Sequence, residues 1–246
     1  MESSPVRMAF ASTAYGPLWP PVVNSWFRAM LYAQRQLVRA EIGELAGIGL
    51  TDRMYVHSAD NQLVRDFLQA DPPLTHLFHT ESDMLLPDDC LVQLLALKKP
   101  IVSGVYFLRN GNGQPCLYRR CSSMPGDSYA MTPVTVFPQD QPFLLKGCPG
   151  LGCVLFERQV FETLSFPWFD LKESGYGSDL FFFTNAMKHK VETWVDPRVR
   201  CGQIEYKIWT HDDYAQRLRE DPAFGRTGYV LSDPSFEATT PSWGRK

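Results

Sequence analysis

Two kinds of apolar pattern alternate along the first hundred residues of the chain. Short continuous runs, of which PIVSGVYFL is the clearest, are typical of strands buried in a parallel sheet and predict strands at 6–12, 54–57, 75–80 and 100–108. Apolar positions with helical spacing predict helices at 24–40, 61–69 and 90–97, and either Asn24 or Ser25 could cap the first. Strands that alternate with helices indicate an α/β fold with right-handed crossovers.

The second half of the chain is less regular. Short apolar segments at 132–137 and 143–146, separated by turn residues, predict a smaller antiparallel portion. Further strands are predicted at 152–156 and 193–196, with a helix at 179–190 between them. We therefore expect one Rossmann-like domain over residues 1–219, with a mostly parallel central sheet flanked by helices. Residues 220–246 are polar, contain proline and glycine, and predict a C-terminal tail or lid.

The composition fits this picture. The chain has 246 residues, of which 44% are hydrophobic, enough for one domain with a sizeable core. A net charge of −3 excludes the strong positive field of a general nucleic-acid binder, although the pairs Arg119/Arg120 and Arg198/Arg200 could form local basic patches. No secretory leader and no stretch long enough to span a membrane is visible, so we expect a cytoplasmic protein. Its six cysteines lack zinc-site spacing and are expected to be thiols.

Two carboxylates, Glu81 and Asp83, follow the predicted strand at 75–80. In open α/β sheets, ligands bind beyond the carboxyl ends of the strands, where these two residues lie. Magnesium and manganese prefer oxygen ligands and often share their shells with substrate phosphates, so the pair could hold a metal–diphosphate complex. The alternative is a solvated Glu81 with Asp83 or Asp88 capping the next helix.

Three segments in order extend the interpretation: THLFHTESDMLLPDDCLVQLLALKKPIVSGVYFLR, KGCPGLGCVLFERQVFETLSFPWFD and GYGSDLFFFTNAMKHKVETWVDPRVRCGQIEY. They resemble the D-x-D region, the glycine-rich segment and the E-D to C-x-H ending of GT-A-fold glycosyltransferases, especially small bacterial and phage-type members of family two. The resemblance covers roughly residues 54–206. It implies a GT-A-like domain and metal-dependent transfer of a sugar from a nucleotide-diphosphate donor to a hydroxyl acceptor.

The resemblance also implies roles for single residues. Asp83 matches the metal-binding aspartate of D-x-D, and Glu81 matches the first aspartate, which contacts the ribose or the water shell of Mn²⁺ or Mg²⁺. Asp179 matches the general base of inverting members, although Ser178 replaces the preceding glutamate and either residue could instead be a helix N-cap. Gln203 stands where the family has a metal-binding histidine, a weaker ligand for a transition metal; His211 is a distant substitute.

Three further residues are expected near the donor. Thr13 lies where the family binds the nucleoside, Asn61 lies in place of an A-R-N motif, and Gly150 belongs to a glycine-rich turn that could equally be structural. The donor could be UDP-, GDP- or dTDP-linked, and the acceptor a saccharide, a protein or a modified nucleic-acid base. Two alternatives remain open: a binding module that has lost catalysis, motivated by Glu81, Ser178 and Gln203, and a nucleotidyltransferase that uses the same acidic pair.

Overall fold

The computed structural model describes residues 5–109, 113–120, 131–171, 177–204, 208–221 and 229–230. Its helices are α1 (Pro20–Arg39), α2 (Val56–Gln69), α3 (Cys90–Ala96), α4 (Arg158–Thr163), α5 (Ser178–Lys188) and α6 (His211–Glu220). Its strands are β1 (Val6–Ala14), β2 (Gly43–Asp52), β3 (His76–Glu81), β4 (Met84–Leu85), β5 (Ile101–Val105), β6 (Tyr118–Arg120), β7 (Met131–Val136), β8 (Phe143–Leu144), β9 (Gly147–Cys148), β10 (Cys153–Glu157), β11 (Thr193–Arg200), β12 (Gly202–Ile204), β13 (Ile208–Trp209) and β14 (Tyr229–Val230).

Seven strands form the central sheet in the order β2-β1-β3-β10-β5-β11-β8. Five of them run in one direction, and β10 and β8 run in the other. Two small sheets flank it, β13-β12-β4 and β14-β7-β6-β9. The predicted α/β fold, with a mostly parallel sheet and a smaller, largely antiparallel portion, is confirmed.

Helices cover both faces of the central sheet because side chains alternate along its strands. On β1, Met8 and Phe10 are buried in one core, where α1 and α3 pack, whereas Ala9 and Ala11 belong to a second core under α2, α4 and α5. A third core joins the sheet to the four-stranded sheet and α6. Helices on both sides leave the carboxyl ends of the parallel strands as the edge where ligands can bind.

The strand predicted at 54–57 is wrong. The strand is β2, Gly43–Asp52, and α2 already begins at Val56. The sequence of β2, GELAGIGLTD, contains three glycines that interrupt its larger apolar side chains, and as an edge strand it exposes Ile48 and Leu50. The first residue of β2 is Gly43, where a Cβ would lie 2.0 Å from the carbonyl oxygen of Val6.

The predicted cap of the first helix is also wrong. α1 begins at Pro20, with Trp19 at the N-cap position and proline in its first turn, where the missing N–H costs nothing. Ser25 lies inside the helix, donates to the carbonyl oxygen of Val22 at 2.8 Å and accepts from the backbone N–H of Leu86 at 3.2 Å. The short α4 and the C-terminal α6 were not predicted.

The predicted C-terminal tail or lid at 220–246 stays a prediction. α6 extends to Glu220, and Tyr229–Val230 pair with β7 in parallel. Residues 222–228 and 231–246 lie outside the described residues. No helix within the described ranges is long and apolar enough to cross a membrane. Five cysteines in these ranges are buried free thiols (Cys90, Cys116, Cys148, Cys153 and Cys201), as predicted.

Candidate functional site

A cleft of about 860 Å³ lies beyond the carboxyl ends of β1 and β3. The two strands are parallel neighbours, and their register places Thr13 opposite Glu81. Thr13 and Glu81 line the cleft, together with Ala14, Tyr15, Pro17, Trp19, Met54, Tyr55, Val56, Ala59, Ser82, Asp83, Arg109 and Ile204. Thr13 therefore lies at the edge of this cleft, and its predicted contact with the nucleoside stays a prediction.

Asp83 and Gln203 are neighbours although 120 residues separate them. The chain turns after β3 into β4, and β4 pairs in antiparallel fashion with β12, with Gln203 opposite Met84. The backbone N–H of Ile204 donates to the carbonyl oxygen of Asp83 at 2.8 Å and fixes this register. The structure therefore brings together two residues that the resemblance had paired at a metal site.

A guanidinium group and a side-chain amide contact the same oxygen of Asp83. Arg109 Nη1 lies 3.0 Å from Asp83 Oδ2, and Gln203 Nε2 donates to the same oxygen at 3.2 Å. Burial raises the pKa of Asp83, and the charge of Arg109 and the hydrogen bond from Gln203 oppose this rise. Within the described part of the chain, Asp83 Oδ1 and Gln203 Oε1 are buried without a hydrogen-bond partner.

Asp83 lines the cleft and Gln203 is hydrogen-bonded to it, and unpaired buried oxygens such as these cost free energy unless something binds them. One is a carboxylate oxygen and the other an amide oxygen, and both suit Mg²⁺ or Mn²⁺. In the described ranges no three His, Cys, Asp or Glu side chains come together as a metal site. The donor set thus fits a hard divalent cation that takes its remaining ligands from water and a substrate phosphate.

Glu81 lies at the end of β3 within an acidic neighbourhood. Burial and, to a smaller extent, the charges of Asp83, Asp179 and Asp60 raise its pKa to about 8, while the charge of His79 acts in the opposite direction. At neutral pH the side chain is therefore mostly protonated and is a poor metal ligand unless a nearby cation lowers its pKa. Its predicted contact with the metal or the ribose stays a prediction.

Asp179 lies in the first turn of α5, whose N-cap is Gly177. Ser178 and Asp179 are therefore not caps: Ser178 Oγ donates to Asp60 Oδ2 at 3.4 Å. The Cys148 thiol donates to Asp179 Oδ2 at 3.6 Å. Burial raises the pKa of Asp179, and the backbone N–H of Leu180 and the Cys148 thiol lower it. A carboxylate with a raised pKa is a better proton acceptor than a solvated one.

A buried pair, His79 and Asp60, connects β3 to the glycine-rich segment 147–153. His79 Nε2 lies 3.0 Å from Asp60 Oδ1, and Nδ1 lies 2.9 Å from the carbonyl oxygen of Leu151, so Nδ1 carries a proton. Burial alone would lower the pKa of His79, but the hydrogen bond and charge of Asp60 raise it overall. Thr80 also donates to the Gly152 carbonyl at 2.7 Å. Sequence analysis missed this pair because nothing local marks two residues 19 apart as partners.

Asn61 has a structural task that the sequence did not reveal. Its Nδ2 donates to the carbonyl oxygens of His57 and Phe169, and its Oδ1 accepts from the backbone N–H groups of Trp168 and Phe169. Two donors and two acceptor sites are all that an amide side chain has. Asn61 is buried and absent from the described lining of the cleft, so the geometry gives no support to its predicted contact with the donor.

Gly150 adopts a φ of 68°, and a Cβ there would lie 2.0 Å from the Tyr106 hydroxyl. That hydroxyl accepts a hydrogen bond from the backbone N–H of Gly152 at 3.2 Å. The contacts thus favour the structural interpretation of the glycine-rich turn. A contact between Gly150 and the donor stays a prediction.

Aromatic side chains form the outer part of the cleft. Tyr15, Trp19 and Tyr55 are 77%, 55% and 80% exposed, which is unusual for large aromatic residues gathered around one cleft. Exposed aromatic faces can stack on a nucleobase or a sugar ring. Sequence analysis missed Tyr15, Tyr55 and Arg109, although YGPLWPP and the arginine after PIVSGVYFL were visible signals.

The other candidates lie elsewhere. Arg198 is bonded to Asp196 at 2.7 and 2.8 Å, so it is not a free phosphate ligand. Arg119 and Arg120 line a separate cavity of about 530 Å³. His211 Nε2 lies 2.7 Å from Gln139 Oε1, and the imidazole packs against Phe107. Trp168 Nε1 donates to the carbonyl oxygens of Phe161 and Leu164, which makes this indole part of the packing.

A solved structure shares the fold. The crystal structure of A197 from STIV is 18% identical and covers 85% of this chain and 92% of its own, with a TM-score of 0.58. Two others have TM-scores below 0.5 and carry no argument: a UTP-bound UGPase from Acinetobacter baumannii (8% identity, 90% and 96% coverage, 0.43) and a 4-diphosphocytidyl-2C-methyl-D-erythritol synthase from Anaerococcus prevotii (9%, 87% and 96%, 0.40). No protein-family model and no curated protein matches the sequence. The likeness to A197 shows the fold and leaves the activity to be argued from the site.

Proposed function

We propose that this protein is a metal-dependent glycosyltransferase that moves a sugar from a UDP-, GDP- or dTDP-linked donor to a hydroxyl acceptor. The observation that carries the proposal is the pair of unpaired, buried oxygens, Asp83 Oδ1 and Gln203 Oε1, beside an open cleft at the carboxyl ends of parallel strands. This is where α/β sheets bind their ligands. The GT-A resemblance places a metal–diphosphate complex at the same residues.

Asp83 and Gln203 would hold Mn²⁺ or Mg²⁺. The cation, when bound, neutralises the departing diphosphate. Arg109, half exposed in the cleft wall, adds a second positive charge near the same group. Tyr15, Trp19 and Tyr55 offer aromatic faces for the nucleobase or the sugar. A nucleotide-sugar presents an aromatic ring, two phosphates and a sugar, and the cleft offers matching chemistry for each.

Asp179 would remove the proton from the acceptor hydroxyl as this attacks the anomeric carbon, and the nucleoside diphosphate would leave. Two features suit the role: burial raises its pKa, and the Cys148 thiol holds one carboxylate oxygen. The charge of Asp179 raises the pKa of the nearby Glu81, which would favour a protonated Glu81 beside an ionised base. The acceptor could be a saccharide, a protein or a modified nucleic-acid base.

A specific observation favours a second candidate, a nucleotidyltransferase. Asp179 is not among the described residues that line the cleft. A sugar phosphate that attacks a nucleoside triphosphate is already ionised and needs no general base, so such an enzyme could work with Asp83, Gln203 and Arg109 alone. The two reactions release different products: glycosyl transfer releases a nucleoside diphosphate, and nucleotidyl transfer releases pyrophosphate.

Product analysis therefore tests the proposal. The protein is incubated with Mn²⁺ and a panel of nucleotide-sugars, with water as the acceptor of the sugar, and in parallel with nucleoside triphosphates and sugar 1-phosphates. We expect release of a nucleoside diphosphate from one nucleotide-sugar and a large loss of this rate in Asp179→Asn. Pyrophosphate release with an unaffected Asp179→Asn would favour the nucleotidyltransferase. Binding of a nucleotide-sugar without turnover of either kind would favour a module that has lost catalysis.

A further inference from the structure

Arg109 and a metal ion would compete for the same carboxylate. Arg109 Nη1 lies 3.0 Å from Asp83 Oδ2, and the unpaired Oδ1 belongs to the same group. A divalent cation on that carboxylate would lie within several ångströms of the guanidinium. Like charges at such separations repel strongly in a partly buried site, because the effective dielectric constant is far below that of water.

The two partners differ in freedom to move. The side chain of Asp83 is only 14% exposed and is fixed by the β4–β12 register, whereas that of Arg109 is 53% exposed and lines the open cleft. Arg109 can therefore turn away from Asp83 into the cleft without leaving a buried cavity. A diphosphate in the cleft would give the guanidinium an anionic partner to replace Asp83, since guanidinium groups bind phosphate oxygens well.

We infer that Arg109 is a counter-cation that keeps the affinity of Asp83 for a metal ion low until a diphosphate is present. The inference rests on the proposed metal–diphosphate function of this cleft and adds that the metal and the nucleotide bind cooperatively. The metal alone binds weakly, and metal and nucleotide bind together because the diphosphate draws Arg109 away from Asp83. By thermodynamic linkage, each ligand then raises the affinity of the other by the same factor.

A purely structural role for Arg109 predicts the opposite change in metal affinity when Arg109 is replaced. If the guanidinium only orients Asp83 and helps to keep it ionised, its removal leaves a buried carboxylate without a cation. Asp83 would then lose the contact at 3.0 Å that holds its carboxylate in place, and it would bind metal less well. The effect on metal affinity measured without nucleotide separates the two roles.

The test measures Mn²⁺ binding by calorimetry for the wild type and Arg109→Gln, with and without UDP, GDP and dTDP. Arg53→Gln is a matched control, because Arg53 is 78% exposed, faces Asp52 at 3.8 Å and carries the same charge outside the described cleft lining. We expect Arg109→Gln to bind Mn²⁺ alone roughly 5–10-fold more tightly, and to lose about the same factor in the coupling between Mn²⁺ and the nucleotide. Arg53→Gln should leave both unchanged.

Equal or weaker binding of Mn²⁺ by Arg109→Gln would overturn the inference, and so would an equal gain in Arg53→Gln, which would reflect net charge alone. If the wild type binds Mn²⁺ too weakly to measure, Arg109→Gln must bring the affinity into the measurable range. Failure of the proposed function gives a different result: neither protein then binds any of the three nucleotides, with or without Mn²⁺. Thermal denaturation of each variant confirms that it is folded.

Discussion

Replacement of Asn61 by alanine separates a structural role from a donor-binding role. Asn61 donates to the carbonyl oxygens of His57 at 2.8 Å and Phe169 at 2.6 Å, and accepts from the N–H groups of Trp168 at 3.0 Å and Phe169 at 3.2 Å. Three of these bonds attach α2 to a segment more than 100 residues away. Alanine would leave the buried N–H and C=O of Phe169 without partners.

The cost follows from these bonds. A net hydrogen bond contributes about 1 kcal/mol, and an unsatisfied buried backbone group costs about 1–3 kcal/mol. The carbonyl oxygen of His57 lies inside α2, so the loss of its hydrogen bond from Asn61 is the least costly of the four. The three long-range bonds then give a destabilisation of about 3 kcal/mol. For a chain of this length, that lowers the melting temperature by about 6–12 °C.

Thermal and urea denaturation of Asn61→Ala and Gln62→Ala measure this effect. Gln62 is the neighbouring residue on α2, and its bonds to Asp66 and Arg65 lie on the surface, so its replacement should cost at most ~0.5 kcal/mol. A melting temperature for Asn61→Ala equal to that of the wild type, together with loss of nucleotide affinity, would refute the structural reasoning and restore the donor-binding role.

Three other changes have defined outcomes. The stability of Glu81→Gln should be closest to that of the wild type near pH 5 and exceed it by about 2–4 kcal/mol at pH 9. Glu81 has a pKa of about 8 in the folded protein, so the wild type loses stability as the pH rises from the pKa of Glu81 in the unfolded chain through 8. Gly150→Ala should cost at least ~2 kcal/mol in urea denaturation, because its φ is 68° and its Cβ would clash with Tyr106. Gln203→His should bind Mn²⁺ several-fold more tightly in calorimetry, because imidazole suits transition metals better than an amide.

Each of these outcomes can fail in a recognisable way. A constant stability difference between Glu81→Gln and the wild type from pH 5 to 9 would show that Glu81 titrates normally. A stable Gly150→Ala would mean that the turn relaxes at little cost. Unchanged Mn²⁺ affinity in Gln203→His would place the metal away from Gln203, and the paired Asp83 would then need another partner.

Local pattern predicted the core of the fold because its strands are buried. The run PIVSGVYFL became β5, whose five residues are all buried, and 75–80 became β3. β2 escaped prediction because an edge strand needs no continuous apolar run. α1 was predicted four residues short because its two N-terminal prolines indicate a loop by composition yet suit a first helical turn.

The site was predictable only in part, for a similar physical reason. Asp83 and Gln203 entered through motif resemblance, and the β4–β12 pairing brings them together. The roles of Arg109, Asp60 and His79 depend on which distant residues they meet, and a single sequence does not encode those contacts locally. Asn61 shows the converse situation: internal hydrogen bonds can use every donor and acceptor of a residue at a motif position.

The most direct test of the metal–diphosphate site is calorimetry of UDP, GDP and dTDP binding to the wild type and Asp83→Asn, each with Mn²⁺ and with EDTA. We predict that the wild type binds at least one nucleotide only with Mn²⁺. Asp83→Asn should lose this Mn²⁺-dependent binding while its melting temperature stays close to that of the wild type. Binding that is equal with Mn²⁺ and EDTA, or unchanged in Asp83→Asn, would contradict the assignment of Asp83 as the metal-binding residue.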